Sequence, residues 1–210
     1  MRCRSVVLLR TLALLVGLAV ARPVAADEPL EQLKSRLDRA VRTLEDPAFK
    51  TPSRAGERRA AVRRIAEDIF DFGETARRSL AHHWQARTPA EREEFVRLFA
   101  DLLERSYISK IALFNGERVT YVGETVDGDA AVVRTKIISR QGTGLPIDYR
   151  MLRRGGRWLV YDVIIEGVSL VANYRSQFNK IIQTSSYQEL VKKMKTKQEE
   201  LLEQDRPGRT

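Results

Sequence analysis

Within residues 157–182 the apolar spacing of the chain changes abruptly, and that change limits what it can fold into. Leu159, Val160, Tyr161, Val163, Ile164 and Ile165 are apolar, and most are β-branched or aromatic, as a half-buried strand requires. Glu166-Gly167 interrupts the run, and glycine accepts backbone angles that side chains forbid. From Val168 the spacing is helical: Leu170, Val171, Tyr174, Phe178, Ile181 and Ile182 share one side of a helical wheel. A core strand therefore turns sharply into an amphipathic helix, which must fold back on something apolar.

Three more strand-like runs precede this one, over residues 118–126, 129–139 and 145–153. They are joined by the turn signals Asp127-Gly128, Gln141-Gly142-Thr143-Gly144 and Gly155-Gly156. Connections this short predict an antiparallel meander. Ile147, Tyr149 and Met151 alternate with Asp148 and Arg150, so one face of the sheet is buried, and helices must cover it.

Helical spacing supplies that cover. Leu30, Leu33, Leu37, Ala40, Val41 and Leu44 form one stripe, and Ala61, Val62, Ile65, Ile69 and Phe72 form another. A short helix is predicted over 75–86. Thr88-Pro89-Ala90-Glu91 is a capping box with proline at the first helical position. It opens the longest apolar face in the chain, formed by Phe95, Leu98, Phe99, Leu102, Leu103 and Tyr107 and extended by Ile111 and Phe114. Such a face lines either a core or a ligand cavity. A last, more polar helix is predicted over 187–202.

The N-terminus is of another kind. Arg2, Arg4 and Arg10 precede an apolar run at 11–20, and Val24-Ala25-Ala26 offers small residues for cleavage. The run is too short to span a bilayer, so residues 1–26 read as a secretory signal peptide cut after Ala26; the other reading is an uncleaved anchor. The only cysteine, Cys3, leaves with that segment, so the mature chain has no thiol or disulfide chemistry. Cleavage also lowers Lys+Arg from 37 to 33 against 28 acidic residues, and the net charge from +9 to +5. A basic exported protein meets anionic lipid or acidic proteins, not nucleic acid. Arg58, Arg59, Arg63 and Arg64 fall on one outward helical face, either a solvated surface or a patch for head groups or an acidic partner.

Catalytic signatures are missing. The chain has no GxSxG elbow, HExxH or P-loop. His82 and His83 are adjacent, so on a helix they diverge and cannot chelate one metal as an i, i+4 pair does. Asp162 and Glu166, four apart on a strand, would be ~13 Å from each other, too far for a glycosidase pair. No metal site, cofactor or enzyme activity is expected.

Four pieces in order carry a family resemblance: Leu145-Pro146-x-x-Tyr149, Trp158-x-Val160-x-Asp162-Val163, Glu166-Gly167-Val168-Ser169-Leu170, and Asn173-Tyr174-Arg175-x-x-Phe178. Together they resemble the MlaC / toluene-tolerance family of periplasmic phospholipid-binding proteins, auxiliary components of an ABC transporter. The resemblance implies a periplasmic carrier whose pocket holds acyl chains. It would shuttle phospholipid between an outer-membrane lipoprotein complex and an inner-membrane ABC transporter complex with its substrate-binding ring protein, maintaining lipid asymmetry.

The expectation is therefore an α+β fold: a four-stranded antiparallel twisted sheet, covered on one face by several amphipathic helices and enclosing an apolar pocket. Residues 27–186 form the lipid-binding domain of a monomer, followed at 187–210 by a polar helix and a frayed tail. Candidate pocket residues are Phe95, Leu98, Phe99, Leu102 and Tyr107 on the long helix, Tyr121, Tyr149, Met151, Val163 and Ile165 on the sheet, and Val168 and Tyr174 after the turn. Each also reads as ordinary core. Other readings of the whole chain are a binder of another hydrophobic solute, such as a hopanoid or sterol, and a lipid-free secreted adaptor.

Overall fold

The computed structural model describes residues 28–49, 51–111 and 116–204. The expected signal peptide and its cleavage site, and the Phe114-Asn115 end expected for the long helix, lie outside the described residues.

One antiparallel sheet runs in the order β1 (Arg118–Asp127), β2 (Ala130–Ile138), β3 (Gly144–Arg154), β4 (Arg157–Ile165) and β5 (Val168–Ser169). Four strands are the predicted runs; the fifth corrects the expectation of a four-stranded sheet. Glu166 and Gly167 take φ of +50° and +81°. The turn they close is tight enough to pair Val168 with Ile165 and Ser169 with Ile164. Left-handed backbone at Glu166 costs about 1 kcal/mol, and it is held by the Glu166 N–H donating to Pro146 O at 3.2 Å. The chain thus makes a short return strand before it becomes helical, and helix α5 starts at Leu170 rather than Val168.

Register between β3 and β4 slips once. Arg150 pairs with Asp162, but Met151 pairs with Val160, so Tyr161 is an inserted residue. This bulge resets the alternation. Val163 shares a face with its partner Tyr149, and Val160 with Met151, so both ends of β4 feed the same core.

Helices α1 (Pro29–Glu45) and α2 (Ala55–Ile69) cover that face. Leu33, Ile65 and Ile69 pack with Val133, Ile147, Tyr149, Met151, Trp158 and Val160. Each large side chain removed from water here contributes about 1.5–3 kcal/mol. Helix α1 has no side-chain cap of its own. Instead the Glu124 carboxylate of β1 accepts the Leu30 N–H at 2.7 Å. Helix α1 in turn satisfies β4: Gln32 Oε1 accepts the Trp158 N–H and Arg36 donates to Trp158 O. Further along β4, Phe70 forms a parallel bridge with Val160, whose carbonyl accepts the Asp71 N–H.

The remaining helices build a second core. They are α3 (Phe72–Leu80), α4 (Pro89–Ile111), α5 (Leu170–Thr184) and α6 (Tyr187–Gln204). Their buried residues include Ala76, Leu80, Phe95, Leu98, Phe99, Phe178, Tyr187, Leu190 and Met194. Helix α3 begins earlier than its apolar spacing predicts because Asp71 caps it, accepting the Glu74 N–H at 2.8 Å. The capping box of α4 is formed in both directions: Thr88 Oγ1 accepts the Glu91 N–H, and the Glu91 carboxylate accepts the Thr88 N–H.

Candidate functional site

Eight of the twelve candidate pocket residues divide between the two cores. Tyr149 and Met151 are buried in the sheet core, with Val163 partly buried against it. Phe95, Leu98 and Phe99 are buried in the helical core, with Leu102 and Tyr174 partly buried beside them. Tyr107, Tyr121 and Ile165 are half-buried, whereas Val168, on the return strand, is 59% exposed.

Within the helical group, Tyr174 does come back onto the long helix. Its ring meets Phe99 edge-on, with centroids 5.0 Å apart and planes at 75°, and Phe99 meets Phe178 in the same way at 5.2 Å. Burial pushes the Tyr174 hydroxyl up to about 12, with Tyr107 and Ser106 of α4 beside it. Burial likewise raises Tyr149 to about 12 and raises Tyr121 further, the latter also donating to the Asp38 carboxylate at 3.0 Å. All three tyrosines stay neutral, so they present apolar rings with a single polar tip.

Apolar surface remains incompletely covered on both sides. On the sheet side it belongs to Ile137, Leu145 and Val163; on the helix side to Leu102, Leu103, Tyr174, Ile181 and Ile182. These half-buried apolar side chains belong to two separate clusters.

Two surface grooves lie elsewhere. One, of about 530 Å³, runs between α1 and α2 and is lined by Arg39, Thr43, Ala61, Arg64, Ile65 and Asp68. The other, of about 340 Å³, lies where α3 and α5 meet the β4 bulge. Neither is lined by a candidate pocket residue. The predicted basic face is mixed in character. Arg63 is paired with Glu67 at 3.2 Å and with Glu104 of α4 at 3.0 Å, so it ties two helices together. Arg64 is exposed, Arg58 is half-buried, and the Arg59 side chain lies outside the described residues. His83 Nε2 lies 2.9 Å from Asn179 Oδ1, a link between the short 3₁₀ turn and α5. Among the described residues no group of three or more His, Cys, Asp or Glu side chains is arranged to hold a metal.

Sequence reasoning missed the role of Asp162. Its buried carboxylate accepts hydrogen bonds from Ser169 Oγ at 2.7 Å and from the Val171 N–H at 3.0 Å. Ser169 Oγ then accepts the Ala172 N–H as the N-cap of α5. The signal was present as an acidic residue in the middle of an apolar strand, followed by a serine at the helix start. Its meaning depended on the Tyr161 bulge, which strict alternation does not reveal.

Comparison with known proteins agrees with this architecture. The family model described as "MlaC protein" matches residues 34–196. The chain belongs to the MlaC family. The intermembrane phospholipid transport system binding protein MlaC of Haemophilus influenzae is 21% identical over 189 residues, 88% of each chain. The toluene tolerance protein ttg2D of Pseudomonas putida is 25% identical over 120 residues, 56% of each chain. A phospholipid-binding protein from Ralstonia solanacearum, solved in complex with a phospholipid, superposes with a TM-score of 0.73 at 23% identity, covering 83% of this chain and 99% of that one. This last likeness establishes the shared fold.

Proposed function

We propose that this chain is a phospholipid carrier that shelters acyl chains between the sheet core and the helical core. The observation that carries the reading is the half-buried apolar surface left on both: Val163 and Ile165 on β4, Tyr121 on β1, Leu102 and Tyr107 on α4, and Tyr174 on α5. Support comes from the family match, from the phospholipid transport named for the Haemophilus relative, and from the phospholipid held by the Ralstonia protein.

The physical case is direct. Each buried methylene contributes ~0.8 kcal/mol, so two chains of about 15 methylenes gain on the order of 20 kcal/mol gross. That gain is why a lipid needs shelter to cross water, and why its release needs a partner that opens the site. We place the carrier in the periplasm as a monomer, exported by cleavage after Ala26. Residues 27–186 would form the lipid-binding domain, exchanging lipid with an inner-membrane ABC transporter complex and an outer-membrane lipoprotein complex. Among the described residues no helix is long and apolar enough to cross a membrane. In this reading the chain acts by binding, not by catalysis.

Native mass spectrometry of the purified protein tests this reading. A co-purifying phospholipid at one or two copies per chain is the expected result. A bound hopanoid or sterol would replace the ligand class, and protein that remains lipid-free after exposure to phospholipid vesicles would overturn the carrier reading.

A further inference from the structure

The groove at the β4 bulge has no part in the apolar site, and its chemistry is different. Arg77 and Arg78 of α3, Arg150 of β3 and Arg175 of α5 line it, over a floor that includes Ala81, Tyr161, Val171 and Ala172. Two carboxylates organise these guanidiniums from behind. Glu74, 7% exposed, accepts from Arg77 Nε and Nη2 and from Arg78 Nε at 2.6–2.8 Å. Asp162, 3% exposed, accepts from Arg150 Nη1 at 3.3 Å. The Arg78 guanidinium also lies over the Tyr161 ring, 4.0 Å from its centroid, which fixes its orientation.

These pairings use only part of what the arginines offer. Each guanidinium carries a fork of N–H donors. Both terminal amino groups of Arg78, the second amino group of Arg150 and the whole Arg175 head have no hydrogen-bond partner among the described residues. Four guanidiniums against two buried carboxylates leave excess positive charge facing the groove. Arg154 and Asp71 at its edge cancel and do not change that balance.

Pre-oriented arginines around a small apolar surface are what protein interfaces favour, and planar forks match carboxylates. The site is also concave. A protruding acidic side chain can enter it, whereas a flat bilayer surface cannot. We propose that this groove docks an acidic segment of a partner protein, with Asp or Glu carboxylates on Arg78, Arg150 and Arg175. The inference rests on the carrier reading, because a carrier must engage the proteins that load and empty it.

The test uses a fluorescein-labelled deca-glutamate peptide and the purified protein at low salt, read by fluorescence anisotropy. Arg175→Glu, and independently Arg78→Gln, weaken peptide binding about tenfold or more, while Lys192→Glu, an exposed charge reversal on α6, changes it less than about twofold. Arg175→Ala gives the same loss with less perturbation, and an unchanged thermal midpoint shows that the variants are folded. Equal weakening by Lys192→Glu, no binding by the parent protein, or groove variants that lose only phosphatidylglycerol vesicles while keeping the peptide would each overturn the proposal. Co-purified phospholipid is measured on the same samples. Its absence from all of them rejects the carrier reading, whereas its presence beside unaltered peptide binding rejects the docking site alone.

Discussion

Asp162 holds the Val171 N–H at 3.0 Å across the turn that joins β4 to α5. The same carboxylate takes the Ser169 hydroxyl at 2.7 Å, so one buried side chain fixes the angle at which α5 leaves the sheet. The two cores are joined here, and the relationship makes the strand-to-helix stretch a rigid corner.

Replacing Asp162 by alanine should therefore cost more than an ordinary hydrogen bond. It strands the buried Val171 N–H and removes a charged acceptor, for which about 3 kcal/mol is expected, with Asp162→Asn at about half that. Urea unfolding of both variants measures the difference. A loss below about 0.5 kcal/mol for the alanine variant would show that water or a shifted helix replaces the cap.

Val163 and Met151 make a contrast on the same face of the sheet. Met151 is fully buried in the sheet core, so Met151→Ala should cost about 2–5 kcal/mol through a cavity. Val163 is only partly buried, so Val163→Trp should expel bound lipid with a stability loss of less than about 1 kcal/mol. Thermal unfolding and bound-lipid mass are read on each variant. A Val163→Trp protein that is strongly destabilised yet carries lipid at parent stoichiometry would place Val163 in the core and move the site elsewhere.

Acid should act through Glu74. Hydrogen bonds from Arg77 lead in lowering it from 4.5 to about 2, with Arg78 adding to them against the opposing effect of burial. A carboxylate depressed in the folded state stabilises above its unfolded pKa, and that stability is lost as pH falls through the folded value. The window is thus from about pH 5 down to about pH 2, and the contribution is on the order of 2 kcal/mol once screening of the exposed arginines is allowed for. Glu74→Gln should flatten the stability profile across that window. An unchanged slope would assign the acid sensitivity to other carboxylates.

The basic face of α2 predicts a salt effect. Lipid delivery to anionic vesicles should slow as ionic strength rises, because exposed charges are screened within about 10 Å at 0.1 M salt. Arg64→Glu should reduce delivery at low salt without loss of stability, since Arg64 is exposed. Arg63→Glu should also destabilise, because it breaks the link to Glu104 of α4. Delivery unaffected by Arg64→Glu at low salt would leave this face as solvated surface only.

Local sequence sufficed to indicate the six described α-helices and four of the five described strands, but not where α2 ends or the span of α3. Apolar spacing, the Thr88–Glu91 capping box and the Gly155-Gly156 turn are local, and their physics is decided by a few neighbouring residues. The four motif pieces around residues 145–178 also sufficed to indicate the family. Tertiary structure alone decided the rest. The β5 return strand exists because Ile164 and Ile165 pair with Ser169 and Val168. The Tyr161 bulge exists only in register with β3, and it is what places Asp162 at the start of α5. The division of one apolar inventory into two cores was equally invisible, because periodicity states which face of an element is buried but not which neighbour buries it. Phe95 and Met151 look alike in the sequence, and one lies among helices while the other lies under the sheet. The arginine groove has the same origin: Arg77, Arg78, Arg150 and Arg175 come from three elements, and only long-range packing turns scattered charges into one surface.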